Sequence, residues 1–255
     1  MTTNTLGILG VGHLATYTVT GLRKSGDQRQ IILSPRNAEA SALLAERCQC
    51  LIAANNQEVV DNSDIILLAV RPENLSDLLQ DLTFKPEQLV ISVIAGVTLA
   101  QLRQYPALQE ATLTRSLPPA SVEVCAGPVP LFPANAAAEQ LFGNIGKVIV
   151  LESEALFDVA LAHGCLHGWS YFLVQQLIDW SVSRGMDKQT ARDMVVHSIG
   201  SAIELAQSRP ELNVGDIGNG IATPGTFTLQ GIEQIKAANG LQAWSDAMDG
   251  ICKPQ

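Results

Sequence analysis

A glycine-rich turn near the start of the chain has the spacing of a phosphate-binding loop. It reads Gly10-Val11-Gly12-His13-Leu14-Ala15 and follows a short apolar run. Gly10 would permit a sharp turn, Gly12 would let the backbone approach a pyrophosphate, and Ala15 would let the next helix pack closely on a sheet. The first N–H groups of that helix would face the phosphates. The pattern predicts a dinucleotide site.

The end of the second apolar run indicates which dinucleotide would bind. An NAD site places Asp or Glu here to accept from the ribose 2′-hydroxyl, whereas this chain has Ser34, Arg36 and Asn37 and no acid before Glu39. The guanidinium of Arg36 suits a 2′-phosphate, and the Ser34 hydroxyl and Asn37 amide could add hydrogen bonds. NADP(H) is therefore predicted over NAD(H). A solvated surface cation is the alternative interpretation of Arg36.

Other predicted strand ends should lie beside this turn. Ligands in open parallel sheets bind beyond the carboxyl ends of the strands, where residues 70–72, 94–96 and 115–119 fall. Arg71 and Arg115 could bind phosphate or carboxylate, or form structural ion pairs. The predicted cofactor contacts are Gly10, Gly12, His13, Leu14, Ser34, Arg36, Asn37, Ala69, Val70, Arg71, Ala95 and Gly96.

The elements that must position these residues alternate between strand and helix through residues 1–152. This alternation predicts an α/β fold with a mostly parallel sheet of the Rossmann type. Within it we expect a helix over 72–82 and a strand over 122–131. Long helical periodicities without strands then predict an all-helical domain over residues 153–255.

Two helices are predicted at the start of this helical domain, over 156–163 and 167–184, separated at Gly164-Cys165-Leu166-His167. His163 and His167 are four residues apart, and they could donate protons or simply pack. A second site is predicted just before a later helix. There the side chains and N–H groups of Thr223, Gly225, Thr226 and Thr228 could hold a substrate carboxylate. An ordinary helix cap is the alternative.

Bulk properties restrict the class of protein. The 255 residues carry 16 basic and 25 acidic side chains, and the net charge of −9 argues against nucleic acid as a partner. No run of 18 apolar residues predicts a membrane span, and residues 1–4 lack the basic start of a signal peptide, so we expect a cytoplasmic protein. The five scattered cysteines are typical of reduced thiols, and their spacing predicts no metal site.

These motifs together resemble the pyrroline-5-carboxylate reductase family over nearly the whole chain. That family has a glycine loop, an NADP-type strand end, and segments reading Ala-Val-Lys-Pro-Gln, Ser-x-x-Ala-Gly, Arg-x-Met-Pro and Ser-Pro-Gly-Gly-Thr-Thr. The similar stretches here are 10–15, 34–37, 69–73, 92–97, 115–118 and 223–228.

The resemblance implies an NADPH-dependent enzyme that reduces 1-pyrroline-5-carboxylate to proline, or a related cyclic imine. It also implies a homodimer or larger homo-oligomer formed through the helical domain, and a small anionic imine as substrate. Residues 223–228 would lie near the substrate carboxylate. The candidate catalytic residues are Thr226, Thr228 and His167.

The chain differs from the family in the substrate half. Gly164-Cys165-Leu166-His167 stands where the family has Gly-Ser-Gly-Pro, and Phe227 replaces the first of its paired threonines. Two alternatives therefore stay open. One is another hydride-transfer enzyme, such as a β-hydroxyacid dehydrogenase, although no lysine lies between Glu152 and Trp180. The other is a catalytically silent NADP-binding regulatory protein.

Overall fold

The computed structural model describes residues 4–86 and 88–252. The chain divides into two compact units, one up to residue 161 and one from residue 162 onwards. The boundary predicted between residues 152 and 153 lies slightly earlier in the chain, and the division of function placed there stays a prediction.

An eight-stranded sheet forms the centre of the first unit. The strands are β1 Leu6–Leu9, β2 Ile31–Leu33, β3 Leu51–Ile52, β4 Ile65–Leu68, β5 Leu89–Ser92, β6 Thr112–Ser116, β7 Pro128–Phe132 and β8 Lys147–Val150. Their order across the sheet is β3-β2-β1-β4-β5-β6-β7-β8, and only β6 and β7 pair in antiparallel fashion. The order reverses direction between β1 and β4, which is where open parallel sheets bind ligands.

Helices cover both faces of the sheet, so its central strands are buried on both sides. Every residue of β1, β2, β4 and β5 is buried, as the continuous apolar runs predict for a parallel sheet. Two separate apolar clusters pack on the two faces. The helices are α1 His13–Lys24, α2 Ala38–Cys48, α3 Asn56–Asp61, α4 Leu75–Leu79, α5 Leu99–Leu102 and α6 Ala136–Gly143.

The described residues of the second unit form helices and the turns that connect them. The helix α7, Leu156–Ser183, begins in the first unit, and α8 Lys188–Gln207, α9 Val214–Ile221, α10 Phe227–Ala237 and α11 Gly240–Ile251 follow. Side chains of Asp187, Asn213 and Thr226 cap the starts of α8, α9 and α10. The predicted fold class, a mostly parallel α/β unit followed by an all-helical unit, is confirmed.

The helix break predicted at residues 164–167 is wrong. A single helix runs from Leu156 to Ser183 through this segment. No proline occurs in that range, and Gly164 and Gly168 each cost a helix only about 1 kcal/mol relative to alanine. Those costs are too small to end a 28-residue helix.

Two predictions for the first unit also need correction. The strand predicted over 122–131 is a 3₁₀ turn, Ala120–Val124, followed by β7. Cys125 and Gly127 lie between them with positive φ angles of 57° and 98°, which a strand does not accommodate. The helix predicted over 72–82 is a 3₁₀ turn, Pro72–Asn74, that continues into the short helix α4.

Candidate functional site

A large cavity of the sheet unit lies where the sequence predicts the cofactor. It has a volume of about 890 Å³ and opens at the carboxyl ends of β1, β2 and β4. Nine of the predicted cofactor residues line it: Gly10, Gly12, His13, Leu14, Arg36, Asn37, Ala69, Val70 and Arg71. Ser34, Ala95 and Gly96 do not line this cavity.

The two glycines of the turn differ in what they allow. Gly10 has a φ of +99°, and a Cβ there would lie 2.5 Å from the carbonyl oxygen of Ala69. Gly12 precedes α1 as its N-cap without a side-chain cap, and a Cβ there would meet nothing within 4 Å. Gly10 therefore permits the turn, whereas Gly12 leaves open space above the first N–H groups of a 12-residue helix. This open, positively polarised helix start fits a pyrophosphate.

Two predicted phosphate contacts are already engaged within the protein. The Ser34 hydroxyl is buried, with 2% of the residue exposed, and it accepts a hydrogen bond of 3.1 Å from the Gly10 N–H. The Asn37 amide donates to the carbonyl of Val11 at 3.1 Å and accepts from the Ala40 N–H. Both side chains thus hold the glycine turn and the start of α2 in place.

Arg36 remains as the cation at the end of β2. Its side chain is exposed, and Nη2 donates to the Asn74 side-chain oxygen at 3.4 Å. Arg47 and Arg71 also line the cavity, and Arg71 forms only a loose, exposed pair with Glu73 at 3.8 Å. The sequence prediction missed Arg47, although it shares one face of α2 with Ala40 and Leu44 at helical spacing.

A smaller cavity of about 220 Å³ lies beside the ends of β5 and β6. Arg115 lines it and is 5% exposed, and its Nη1 donates to Glu154 Oε1 at 2.7 Å. The guanidinium also lies 4.3 Å from the ring centre of Phe157. Arg115 therefore forms the structural ion pair that the sequence left as one alternative. Sequence reasoning missed Glu154, whose only signal was an acid placed just before a helix.

The predicted substrate segment is a tight turn that leads into α10. Thr226 donates its hydroxyl hydrogen to the carbonyl of Thr223 at 2.7 Å and accepts from the Leu229 N–H at 3.2 Å. The Thr223 and Thr228 side chains are exposed, and Gly225 has a φ of +87°. The Thr226 hydroxyl is thus occupied as a helix cap, while the neighbouring threonines remain accessible.

His167 lies within α7 and is paired with an aromatic hydroxyl one turn later. Its Nε2 lies 3.1 Å from the Tyr171 hydroxyl, and the two rings meet edge to face. This pair is the geometry expected for residues four apart on a helix.

No disulfide joins the cysteines among the residues that the structure describes. Burial raises the pKa of Cys50 to about 11, so this thiol stays protonated at neutral pH. A protonated, buried thiol is a poor nucleophile and a poor metal ligand. In the described part of the chain, no helix is both long and apolar enough to cross a bilayer.

Comparisons with known proteins match both halves of the chain. Residues 5–96 match the family described as NADP oxidoreductase, coenzyme F420-dependent. Residues 154–254 match the family described as pyrroline-5-carboxylate reductase dimerisation. The helical unit is thus similar to a dimerisation domain, which favours a homo-oligomer.

Full-length relatives show the same likeness. A pyrroline-5-carboxylate reductase of Pseudomonas aeruginosa is 28% identical over 95% of this chain and 92% of its own. A reductase structure from Streptococcus pyogenes superimposes with a TM-score of 0.84 at 23% identity, covering 98% and 96% of the two chains. A Plasmodium falciparum pyrroline carboxylate reductase, solved with NADP bound, gives 0.84 at 18% identity, covering 99% and 97%. The structural likenesses establish a shared fold.

Proposed function

The chain belongs to the pyrroline-5-carboxylate reductase family, and on that premise we propose that it reduces a small anionic imine with NADPH. 1-Pyrroline-5-carboxylate is the first substrate to test. The observation that carries the proposal is the cavity at the ends of β1, β2 and β4, where a helix start, an open glycine and Arg36 meet.

The chemistry of the cavity fits NADP(H). The open space above Gly12 would take the pyrophosphate, and Arg36 would take the 2′-phosphate as a bidentate donor. Because the net charge is −9, an anionic cofactor must be held by local groups rather than by the field of the whole protein. When bound, NADPH supplies the hydride that reduces the imine carbon.

The residues of the helical unit would handle the substrate. We assign its carboxylate to the turn before α10, where Thr223 and Thr228 present exposed hydroxyls and the first N–H groups of the helix carry partial positive charge. Thr226 would shape this turn, since its hydroxyl already makes two hydrogen bonds. A catalytic role for Thr226 stays a prediction of the sequence.

The amine nitrogen of the product gains a proton in this reaction. His167 and Tyr171, joined by their hydrogen bond, are the candidate donors in the helical unit. A protonated imine is already electron-poor, so the side chains need chiefly to orient the reactants. We further propose that the protein works as a homodimer or larger homo-oligomer in the cytoplasm.

The direct test is NADPH oxidation with a panel of cyclic imines. The loss of NADPH absorbance measures the rate. We expect turnover with 1-pyrroline-5-carboxylate or another carboxylated cyclic imine. The uncharged parent 1-pyrroline, which lacks only the carboxylate, is the matched control and should turn over much more slowly. NADH in place of NADPH should raise the Michaelis constant of the cofactor.

The alternatives give different results in the same assay. NADPH binding without turnover of any imine, ketone or hydroxyacid would identify a silent NADP-binding protein. Oxidation of β-hydroxyacids with NADP⁺, and no imine reduction, would identify a hydroxyacid dehydrogenase. Either result contradicts the proposal.

A further inference from the structure

The loop that connects β5 to α5 runs from the larger of the cavities described above to the smaller one. Val93, just beyond the end of β5, lines the larger cavity. Gly96 and Thr98, farther along the same loop, line the smaller one. The loop therefore begins at the cofactor cavity and ends beside Arg115 and Glu154.

The position of this loop relates it to one end of the cofactor. This step rests on the proposed function. A dinucleotide straddles the point where the strand order reverses, here between β1 and β4. Because Arg36 marks the adenosine half at the end of β2, the nicotinamide half lies towards β4 and β5. Residues 93–98 thus flank the half of the cofactor that reacts.

Two sets of contacts fix the far end of the loop. The Leu99 N–H donates to Glu154 Oε1 at 2.6 Å, and Arg115 Nη1 donates to the same oxygen at 2.7 Å. Arg115 is held in turn by burial and by the ring of Phe157. Thr98 and Gln101 form a reciprocal capping box at the start of α5. The carboxylate of Glu154 therefore ties this loop to the end of β6.

We propose that Glu154 is a positioning residue for hydride transfer. Its carboxylate, oriented by Arg115, accepts from the Leu99 N–H and so fixes the loop against which the nicotinamide half packs. Glu154 needs no contact with the cofactor for this role. A small displacement of the loop would change the distance between the reacting carbons, to which hydride transfer is sensitive.

The sharpest test removes the Leu99 N–H and leaves Glu154 in place. Leu99 is the first residue of α5, where proline is tolerated because that N–H has no partner within the helix. Thr98 already has the extended conformation that a following proline requires, with φ −81° and ψ 161°. Leu99→Pro should therefore preserve α5 and break the contact with Glu154. Leu99→Ala keeps the N–H and measures the cost of losing the side chain alone.

Substitutions of Glu154 test the same contact from the other side. Glu154→Ala removes the acceptor, whereas Glu154→Gln retains an oxygen that can accept from Leu99. We expect Leu99→Pro to lower kcat about tenfold or more relative to Leu99→Ala, and Glu154→Ala to lower it by a similar factor relative to the wild type. Glu154→Gln should recover most of that loss. The NADPH dissociation constant should change by less than about threefold, because the proposed contact of Arg36 with the adenosine half is unchanged.

An isotope measurement separates positioning from a merely structural role. With NADPH deuterated at the transferred hydrogen, the isotope effect on kcat should rise in Leu99→Pro, because hydride transfer has become slower. A lower melting temperature with kcat equal to that of Leu99→Ala overturns the proposal. The same holds if Glu154→Ala keeps full kcat.

The fluorescence of bound NADPH tests the positioning role of Glu154 separately from imine reduction. If the wild-type protein binds NADPH but reduces no imine, the proposed function fails, and the fluorescence of bound nicotinamide still reports its surroundings. A weaker fluorescence enhancement in Leu99→Pro than in Leu99→Ala, at similar affinity, then supports the role of Glu154. Equal enhancement in the two variants, or no NADPH binding by the wild type, overturns it.

Discussion

Ser34 and Arg36, at the end of β2, have different roles although both residue types suggest a phosphate site. The Ser34 hydroxyl is directed inward and accepts from the Gly10 N–H, so it supports the glycine turn. Arg36 is exposed at the cavity and is held only by a long hydrogen bond to Asn74. Cofactor choice should therefore depend on Arg36, while the shape of the loop depends on Ser34.

Substitution at these two positions should separate cofactor choice from loop shape. Arg36→Gln should lower kcat/KM for NADPH about tenfold or more and leave NADH almost unchanged, because only NADPH carries the 2′-phosphate. Ser34→Ala should weaken both cofactors by similar factors. The measurement is kcat/KM with each cofactor. A uniform loss in Arg36→Gln would mean that the guanidinium does not read the phosphate.

At the scale of elements, the connection between α1 and β2 is held by a buried ion pair. Arg29 lies 2.7 Å from Asp27, and the two side chains are 5% and 4% exposed. Burial alone would raise the pKa of Asp27, but hydrogen bonds and charge from Arg29 outweigh it and lower the pKa below its usual 3.8. The pair therefore stabilises the fold only while Asp27 is ionised.

This ion pair predicts an acid-dependent component of stability. Since the folded-state pKa is lowered, the contribution is present above about pH 3.8 and disappears as the pH falls through the lower folded-state value. Asp27→Asn should cost about 3 kcal/mol near neutral pH, because it leaves Arg29 buried without its partner. The difference in the free energy of unfolding between Asp27→Asn and the wild type should become smaller as the pH falls below about 3.8.

Urea unfolding at several pH values measures this difference. Glu110→Gln, which removes one negative charge at an exposed position, is the matched control and should be nearly neutral. A cost for Asp27→Asn that stays the same at every pH would show that packing, rather than charge, accounts for it.

At the scale of the whole molecule, the helical unit leaves much apolar surface uncovered. No residue of α9, α10 or α11 is buried, and Ala191 alone is buried in α8. Large apolar side chains of α7, including Phe172 and Trp180, are exposed as well. A helix that is apolar on all sides needs cover from another surface. The match to a dimerisation domain favours a second copy of the chain as the cover for this surface.

A charge placed in this apolar surface should therefore disrupt assembly. Trp180 is 57% exposed in the single chain, and Trp180→Asp should shift the protein towards the monomer and lower its melting temperature. Val124 in the sheet unit is equally exposed at 57%, and Val124→Asp should leave the oligomer intact. Sedimentation over a range of concentrations gives the oligomeric state. A monomeric wild type would contradict this prediction.

The sequence alone determined the fold class and most of the residues that line the larger cavity. Apolar runs too continuous for a half-exposed strand indicated a buried parallel sheet, and the glycine spacing between the first strand and helix located the cavity. These signals are local, because propensity, turn chemistry and burial of neighbouring residues act within a few positions. The nine predicted residues that line the cavity lie at strand ends, in the turns that follow them, or at the start of α1.

Tertiary structure decided the features that depend on partners distant in sequence. Whether Ser34 met a ligand or the Gly10 N–H depended on a contact 24 residues away, and the pairing of Arg115 with Glu154 spans 39 residues. The sequence also did not predict that α7 continues through Gly164, because a glycine can end a helix or be tolerated within it at small cost. Side-chain direction and long-range pairing are set by packing, which residue type and spacing do not record.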